Sequence, residues 1–296
     1  MSNSIINLGE LLKPIDTLIN KISDATGVLF EPRRIRRKAK AEADAKITIA
    51  KADAIVRNIE LKNNLKLQEI SKRALQRFVR EEVIKQKNIE NIILKAIPYI
   101  TSSAKSEDID NDWLLKFFDK SKYISNEKMQ EIWGKILAGE ANKPGNFSRK
   151  TLDIVEELDQ NDASFFQNLM LFTFYYENVD PIIFIYDIDN KIYSDRKVYF
   201  ALLKHLSILG LISFDNMTNY CYQKMPQTYD IVYGNNKINI KHNKPEHNKL
   251  EYGKVMLSQY GEELFRIFER KFDEEILKYT VEKIKKQNIV LEVTKI

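Results

Sequence analysis

The stretch EIWGKILAGEANKPGNFSRKTLDIVEELDQNDASFF, residues 131–166, decides how the chain folds. Trp133, Ile136 and Leu137 stand at helical spacing and predict one buried face on a helix over 125–140. Gly139 is expected to end that helix, and Pro144-Gly145 to turn the chain. Phe147 is placed to staple the next helix, 148–159, behind a Ser148 cap. Leu152, Val155 and Leu158 then point back to the core, and Phe165, Phe166 and Leu169 of a helix over 161–176 close it. These positions describe a scaffold of packed helices, with no ligand site among them.

Working toward the N-terminus, TSSAKSEDIDND (101–112) is short, polar and acidic and reads as a linker. Asp108, Asp110 and Asp112 imitate the first ligands of a calcium loop. Trp113 stands where that loop needs glycine, so a helix cap before 113–121 is the better account. Residues 33–98 contain no glycine, and no proline until Pro98. They are rich in Ala, Lys, Arg, Glu and Leu and predict a long helical stalk, with a hairpin broken at Asn63-Asn64 as the alternative. Such a helix needs partners along its length, and self-association through it is expected. Residues 1–32 hold an amphipathic helix, with Leu8, Leu11, Leu12, Ile15, Leu18, Ile19 and Ile22 on one stripe and Gly27 as its stop.

Toward the C-terminus the pattern becomes mixed. A strand is expected at 181–188, a helix at 194–209 ending on Gly210, and the strand LISF directly after it. Further strands are expected at 219–224, 228–233, 236–242 and 253–258, with a turn at Gly234-Asn235. A long amphipathic helix over 259–287 completes the chain. Helix, glycine, strand, hairpin, strand and helix is the order of a winged-helix domain. The fold class is therefore mainly α, of α+β type. It comprises an N-terminal helix (1–32), a basic stalk (33–100), a linker (101–112), a helical module (113–180) and a winged-helix-like domain (181–296).

Composition narrows the chemistry. The chain has 296 residues, of which one is cysteine, three are histidine and nine are glycine. Disulfide scaffolds and cysteine-rich zinc folds are excluded, and the pattern suits a reducing cytoplasm. No phosphate-binding glycine loop, dinucleotide fingerprint, zinc-protease motif or nucleophile elbow occurs. His242 and His247 lie in KHNKPEHNK, which reads as a solvated wing or loop; His205 reads as a satisfied core histidine, and Cys221 as a half-buried strand residue. No catalytic residue, metal site or cofactor is nominated. The N-terminus lacks the basic flank and apolar run of a signal peptide, and no stretch is long and apolar enough to span a bilayer.

Charge supplies the sharpest candidate site. Residues 33–98 carry 18 Lys+Arg against 8 Asp+Glu, a net of +10, whereas 1–32 sum to −2 and 99–296 to −3. Arg33, Arg34, Arg36, Arg37, Lys38 and Lys40 are the candidates for an anionic surface, whether nucleic acid or the headgroups of a peripheral membrane contact. Residues 237–254, with five lysines against two glutamates, would assist as a wing. A solvated or oligomer-facing helix is the plainer account of the same cluster.

Two segments also carry a resemblance: EPRRIRRKAKAEADAKI leading into the long helix, and the 131–166 stretch with its Trp–Leu–Ala–Gly–Glu and Pro–Gly–x–Phe–Ser elements. Together they resemble a bacterial family of uncharacterised proteins, similar in part to the Abi-alpha abortive-infection proteins. The resemblance covers most of residues 15–175. It implies a role in antiphage defence, with a protein partner in a defence system, and it brings no catalytic residues. The expectation is a cytoplasmic, non-enzymatic, homo-oligomeric scaffold or sensor, with a nucleic-acid-binding regulator as the alternative.

Overall fold

In the computed structural model the described residues are 8–27, 67–176, 180–269 and 271–295. The basic cluster Arg33–Lys40, the rest of the stalk up to residue 66 and the Asn63-Asn64 break lie outside them. The chain has a mixed α+β architecture and divides into two compact units, Met1–Leu152 and Asp153–Ile296.

The first unit is helical. Helix α1 (Leu8–Thr26) buries Leu18, Ile19 and Ile22 and ends where Gly27, at φ +69°, donates to the Ser23 carbonyl. That positive φ costs glycine nothing, which is why the helix stops there. Helix α2 (Leu67–Ala96) would run about 45 Å at 1.5 Å per residue, and its last turn tightens over Ile97–Tyr99 where Pro98 cannot continue it. Helix α3 (Asn111–Ser121) starts on Asp110, whose carboxylate accepts from the Trp113 amide at 2.8 Å. Helix α4 (Glu127–Asn142) starts on Asn126, which accepts from Lys128 and Met129.

Helices α2 and α4 pack together because Gly134 has no side chain: a Cβ there would lie 2.9 Å from the Lys95 carbonyl carbon. Trp113, Phe117, Phe118 and Trp133 fill the space between the helices, with ring centroids 5.0–5.1 Å apart.

Two expectations change here. Residues 101–112 are packed against the unit rather than strung out as a spacer: Ile109 is 1% exposed, Ser106 is buried, and the Lys105 amide donates to the Ala141 carbonyl. Their polar composition serves turns, and Asn142 pins them by accepting from the Thr101 amide and donating to the Tyr99 carbonyl. Gly139 lies inside α4 instead of ending it. A Cβ there would meet the Phe147 ring at 2.7 Å, so its glycine is a clearance for that ring.

The chain leaves the first unit within helix α5 (Arg149–Glu157). In the second unit, α6 (Gln160–Leu169) opens on an Asp159–Asp162 capping box. It ends seven residues earlier than its sequence suggests. The aromatic, β-prone TFYY becomes β1 (Thr173–Tyr176), paired with β2 (Asp180–Ile183). The expected helix over 194–209 is split into α7 (Lys191–Ser194) and α8 (Phe200–Ile208) by Lys197 at φ +59°, a left-handed residue no helix continues through.

The strands are β3 (Ile212–Phe214), β4 (Tyr220–Met225), β5 (Thr228–Tyr233), β6 (Asn236–His242), β7 (Asn248–Gly253) and β8 (Val255–Leu257). The expected spans of β5 and β6 match, with Gly234 at φ +57° in their two-residue turn. The final helix over 259–287 is instead α9 (Gln259–Phe265), α10 (Glu274–Lys285) and a last strand β9 (Ile289–Lys295). Asp273 caps α10 anew by accepting from Glu275 and Ile276, so the amphipathic pattern belongs to two helices.

An antiparallel sheet runs β2-β1-β5-β6-β9, and two ribbons pair β3 with β8 and β4 with β7. Phe172, Phe174, Phe184, Tyr193 and Tyr233 form the unit's aromatic core.

Candidate interaction surfaces

The Trp–Leu–Ala–Gly–Glu motif resolves into an internal brace. Glu140 is 2% exposed, and its two carboxylate oxygens accept from the Gly145 amide at 2.6 Å and the Phe147 amide at 3.0 Å. A buried carboxylate is tolerated because these donors replace water. The turn it holds presents the Phe147 carbonyl to the Trp113 indole N–H at 2.8 Å. Glutamate and phenylalanine are thus needed together for packing, and neither faces solvent as a ligand would. Outside the brace, Arg149 bridges Asp110 and Asp112 at 3.0 and 3.2 Å, so the aspartates serve a helix start, as expected.

Helix α2 presents a different surface. Ile70, Ala74, Phe78, Glu82, Lys85, Ile89, Ile92 and Ala96 follow one another at steps of four and three, a single stripe along one face. At the C-terminal end the stripe is covered: Ile89, Ile92, Ile93 and Ala96 are 0–7% exposed, and Asn88 donates to the Lys122 carbonyl. At Glu82 and Lys85 it turns polar, with an ion pair at 2.6 Å and the Lys85 ammonium 5.2 Å from the Tyr123 ring centroid. Beyond that point it is bare. Ile70 is 68% and Phe78 59% exposed, with Ile84 at 48% on a neighbouring face. Exposed apolar residues in a row at helical spacing are a contact surface in need of a cover.

In the second unit, α8 turns Phe200, Lys204, His205 and Ile208 outward, and Met217 and Met256 are exposed in the segments that follow. The Phe200 ring meets Phe214 edge-on at 5.4 Å. His205 is therefore on the outer face rather than in the core. Its Nε2 lies 2.7 Å from Asp162 Oδ1, tying α8 to the capped start of α6. The expected basic wing 237–254 is divided: β6 lies inside the large sheet, between β5 and β9, and only β7 belongs to a ribbon. Of its lysines, Lys237 pairs with Asp230 and Lys254 donates to the Asn216 carbonyl, while Lys241, Lys244 and Lys249 are exposed.

His242 and His247 separate as well. His247 is solvent-exposed, but His242 is buried with its Nε2 3.2 Å from the Tyr229 hydroxyl, and burial pulls its pKa below the usual imidazole value. The β6 alternation accounts for this, since His242 falls on the same face as Ile238 and Ile240. Cys221 is half-buried on β4, as expected. Arg196, half-buried, forms ion pairs of 2.7 Å with both Asp273 and Glu275 and fastens the α7–α8 segment to the start of α10. Its partners lie 77 and 79 residues away, and no local pattern announces them.

Among the described residues no cluster of three or more His, Cys, Asp or Glu is placed to hold a metal, and no helix is long and apolar enough to cross a membrane. No curated protein and no solved structure matches the chain. A family model does: residues 72–281 match DUF2806, described as a protein of unknown function. That span runs from the exposed part of α2 to α10, well over half of the sequence, and the chain belongs to the DUF2806 family.

Proposed function

We propose that this protein is a non-enzymatic, homo-oligomeric scaffold or sensor that assembles through α2 and the basic segment preceding it. The observation that carries the reading is the bare upper half of the α2 stripe, Ile70 and Phe78, continuous with the half that its own unit buries. A second copy laid against this face would cover those side chains by the packing that covers Ile89 and Ile92. Residues 181–296 act as a winged-helix-like contact module, supported by the β3–β8 pairing between α8 and α9, with β5 and β6 of the large sheet inserted between the two strands of the β4–β7 ribbon. The outward face of α8 favours protein over DNA, because Phe200 and Ile208 flank a single lysine.

The test is the mass of the full-length particle by light scattering, with Phe78→Asp beside the wild type. An oligomer that persists in high salt and falls to monomer in the variant supports the reading; a monomeric wild type overturns it. The resemblance to abortive-infection proteins extends the proposal to a cytoplasmic role in antiphage defence with a protein partner. Plaque counts on cells expressing the chain should drop, and should recover when Phe78→Asp is expressed instead.

The alternative is a nucleic-acid-binding regulator using Arg33, Arg34, Arg36, Arg37, Lys38 and Lys40, favoured by the +10 concentrated in residues 33–98. It requires binding that weakens steeply with salt and is lost on charge reversal at the four arginines.

A further inference from the structure

The large sheet has two edges, and they are built differently. At one, β2 carries Pro181 opposite Tyr175 and packs against β7 and β8. A proline on an edge strand offers no donor to an incoming chain. At the other, β9 (IVLEVTK) has neither proline nor glycine, and Val290 and Val293 are exposed. Among the described residues no strand lies beyond it.

Register fixes which backbone groups this edge offers. The two-residue turn makes Tyr233 and Asn236 a hydrogen-bonded pair, and the His242 amide donates to the Gln227 carbonyl in the same alternation. The even-numbered residues of β6 therefore bond to β5, and Lys237, Asn239 and Lys241 bond to β9. Their partners Thr294, Glu292 and Val290 turn their N–H and C=O groups inward. Ile289, Leu291, Val293 and Lys295 turn theirs outward, as half of an unfilled ladder. The side chains say which strand fits. A second copy paired antiparallel along the whole of β9 would set Glu292 directly opposite Glu292, which is destabilising. Slipping the register to avoid this shortens the ladder, because Asn288 at φ +59° bounds the strand. Glu292 is exposed, faces the neutral Asn239 on β6 and has no ion pair among the described residues, while Lys237 on the same face is held by Asp230 at 2.7 Å. Its complement is a cation directly opposite, with apolar residues beside the incompletely covered Leu291 and Val293.

We propose that β9 accepts an extended segment of a partner protein as a sixth, antiparallel strand of the sheet, with Lys or Arg opposite Glu292 and apolar residues opposite Leu291 and Val293. Main-chain bonds to the outward residues hold the segment, and the side chains select it. The proposal stands apart from assembly through α2: strand addition can fail while the particle mass holds, and the reverse.

The experiment is fluorescence anisotropy of a labelled peptide, Glu-Thr-Val-Lys-Val-Thr-Val, titrated with the full-length protein. In the antiparallel register its lysine meets Glu292 and its first residue meets Lys295. Exchanging the peptide lysine for glutamate should weaken binding about five-fold, the worth of one cross-strand charge pair. In Glu292→Lys protein that preference should invert. N-methylation of either valine beside the lysine should abolish binding, because those amides face β9. N-methylation of the lysine, whose amide faces away, should leave affinity within about two-fold. A peptide of β9's own sequence should bind more weakly than the designed one. The proposal is overturned if the designed peptide does not bind, if Glu292→Lys leaves the preference unchanged, or if the N-methyl pattern is reversed, as a parallel strand would require. Tighter binding of the β9 peptide would also overturn it, by seating a second copy on this edge.

Discussion

The two halves of α2 carry the same kind of apolar stripe and meet opposite fates. Ile92 is fully buried against its own unit, while Ile70, six turns earlier on the same face, is 68% exposed. Both repeat at three and four, although Ile92 stands in the more apolar run NIENIILKAI and Ile70 among Gln68, Glu69, Lys72 and Arg73. Helical periodicity specifies which side of a helix is apolar; it says nothing of what covers that side. In the lower half α4 does so, helped by the missing side chain at Gly134. In the upper half no described element covers it, and that difference makes this part of the helix a candidate interface.

Identical substitutions at the two positions would break the comparison most directly. Ile92→Ala should cost about 2–5 kcal/mol in denaturant unfolding, the range for deleting a buried isoleucine side chain. Ile70→Ala should leave monomer unfolding within about 0.5 kcal/mol and show its effect on particle mass instead. Equal losses at both sites would mean that the upper half is covered within the chain.

Glu140→Ala comes next, because it strands the buried Phe147 N–H and removes the partner of the Gly145 N–H. About 2–3 kcal/mol is expected, with the loss of near-ultraviolet circular dichroism from Trp113 as the local signature. Gly139→Ala forces a Cβ against the Phe147 ring and should cost about 1–3 kcal/mol by the same unfolding measurement.

A smaller effect is expected at Asp110. Asp110→Ala removes a helix cap worth about 1 kcal/mol. The Trp113 amide and Arg149 hold this carboxyl below its usual pKa, so its contribution is present above about pH 3.9 and disappears as pH falls through the lowered value. The smallest shift belongs to His242. Its folded pKa is lowered by burial, so the unfolded chain binds more protons below about pH 6.5, and stability falls as the solution is acidified from there. His242→Gln should flatten that part of the pH–stability curve.

How far these features are legible beforehand depends on the range of the interaction behind them. The Asp110 cap, the Gly234-Asn235 turn and the buried faces around Trp133 and Leu152 are local, and periodicity and turn chemistry suffice for them. Thr173–Tyr176 reads as the end of a helix because FFQNLMLFTFYY is mostly apolar, with nothing to mark a break; the choice of strand is made by pairing with β2 and β5, outside the segment. The same holds for Ile289–Lys295, which becomes an edge strand through β6, some fifty residues earlier. His242 and His205 exchange expected places for a related reason, since burial depends on which layer lies above each face. The small cavity lined by Tyr175, Val232 and Phe265 has no sequence signal, because its walls come from β1, β5 and the end of α9.

By itself, then, the sequence determined the composition of each face, most of the helix starts, one hairpin and the concentration of positive charge in residues 33–98. Those properties rest on the chemistry of neighbours within a few residues. Only the tertiary structure decided that the glycine and glutamate of the Trp–Leu–Ala–Gly–Glu motif are an internal brace, that the acidic segment 101–112 is packed, and that Arg196 meets carboxylates 77 and 79 residues away. Each of these depends on groups brought together across a fold, where the loss of water makes an unmet hydrogen bond or an uncovered methyl group expensive.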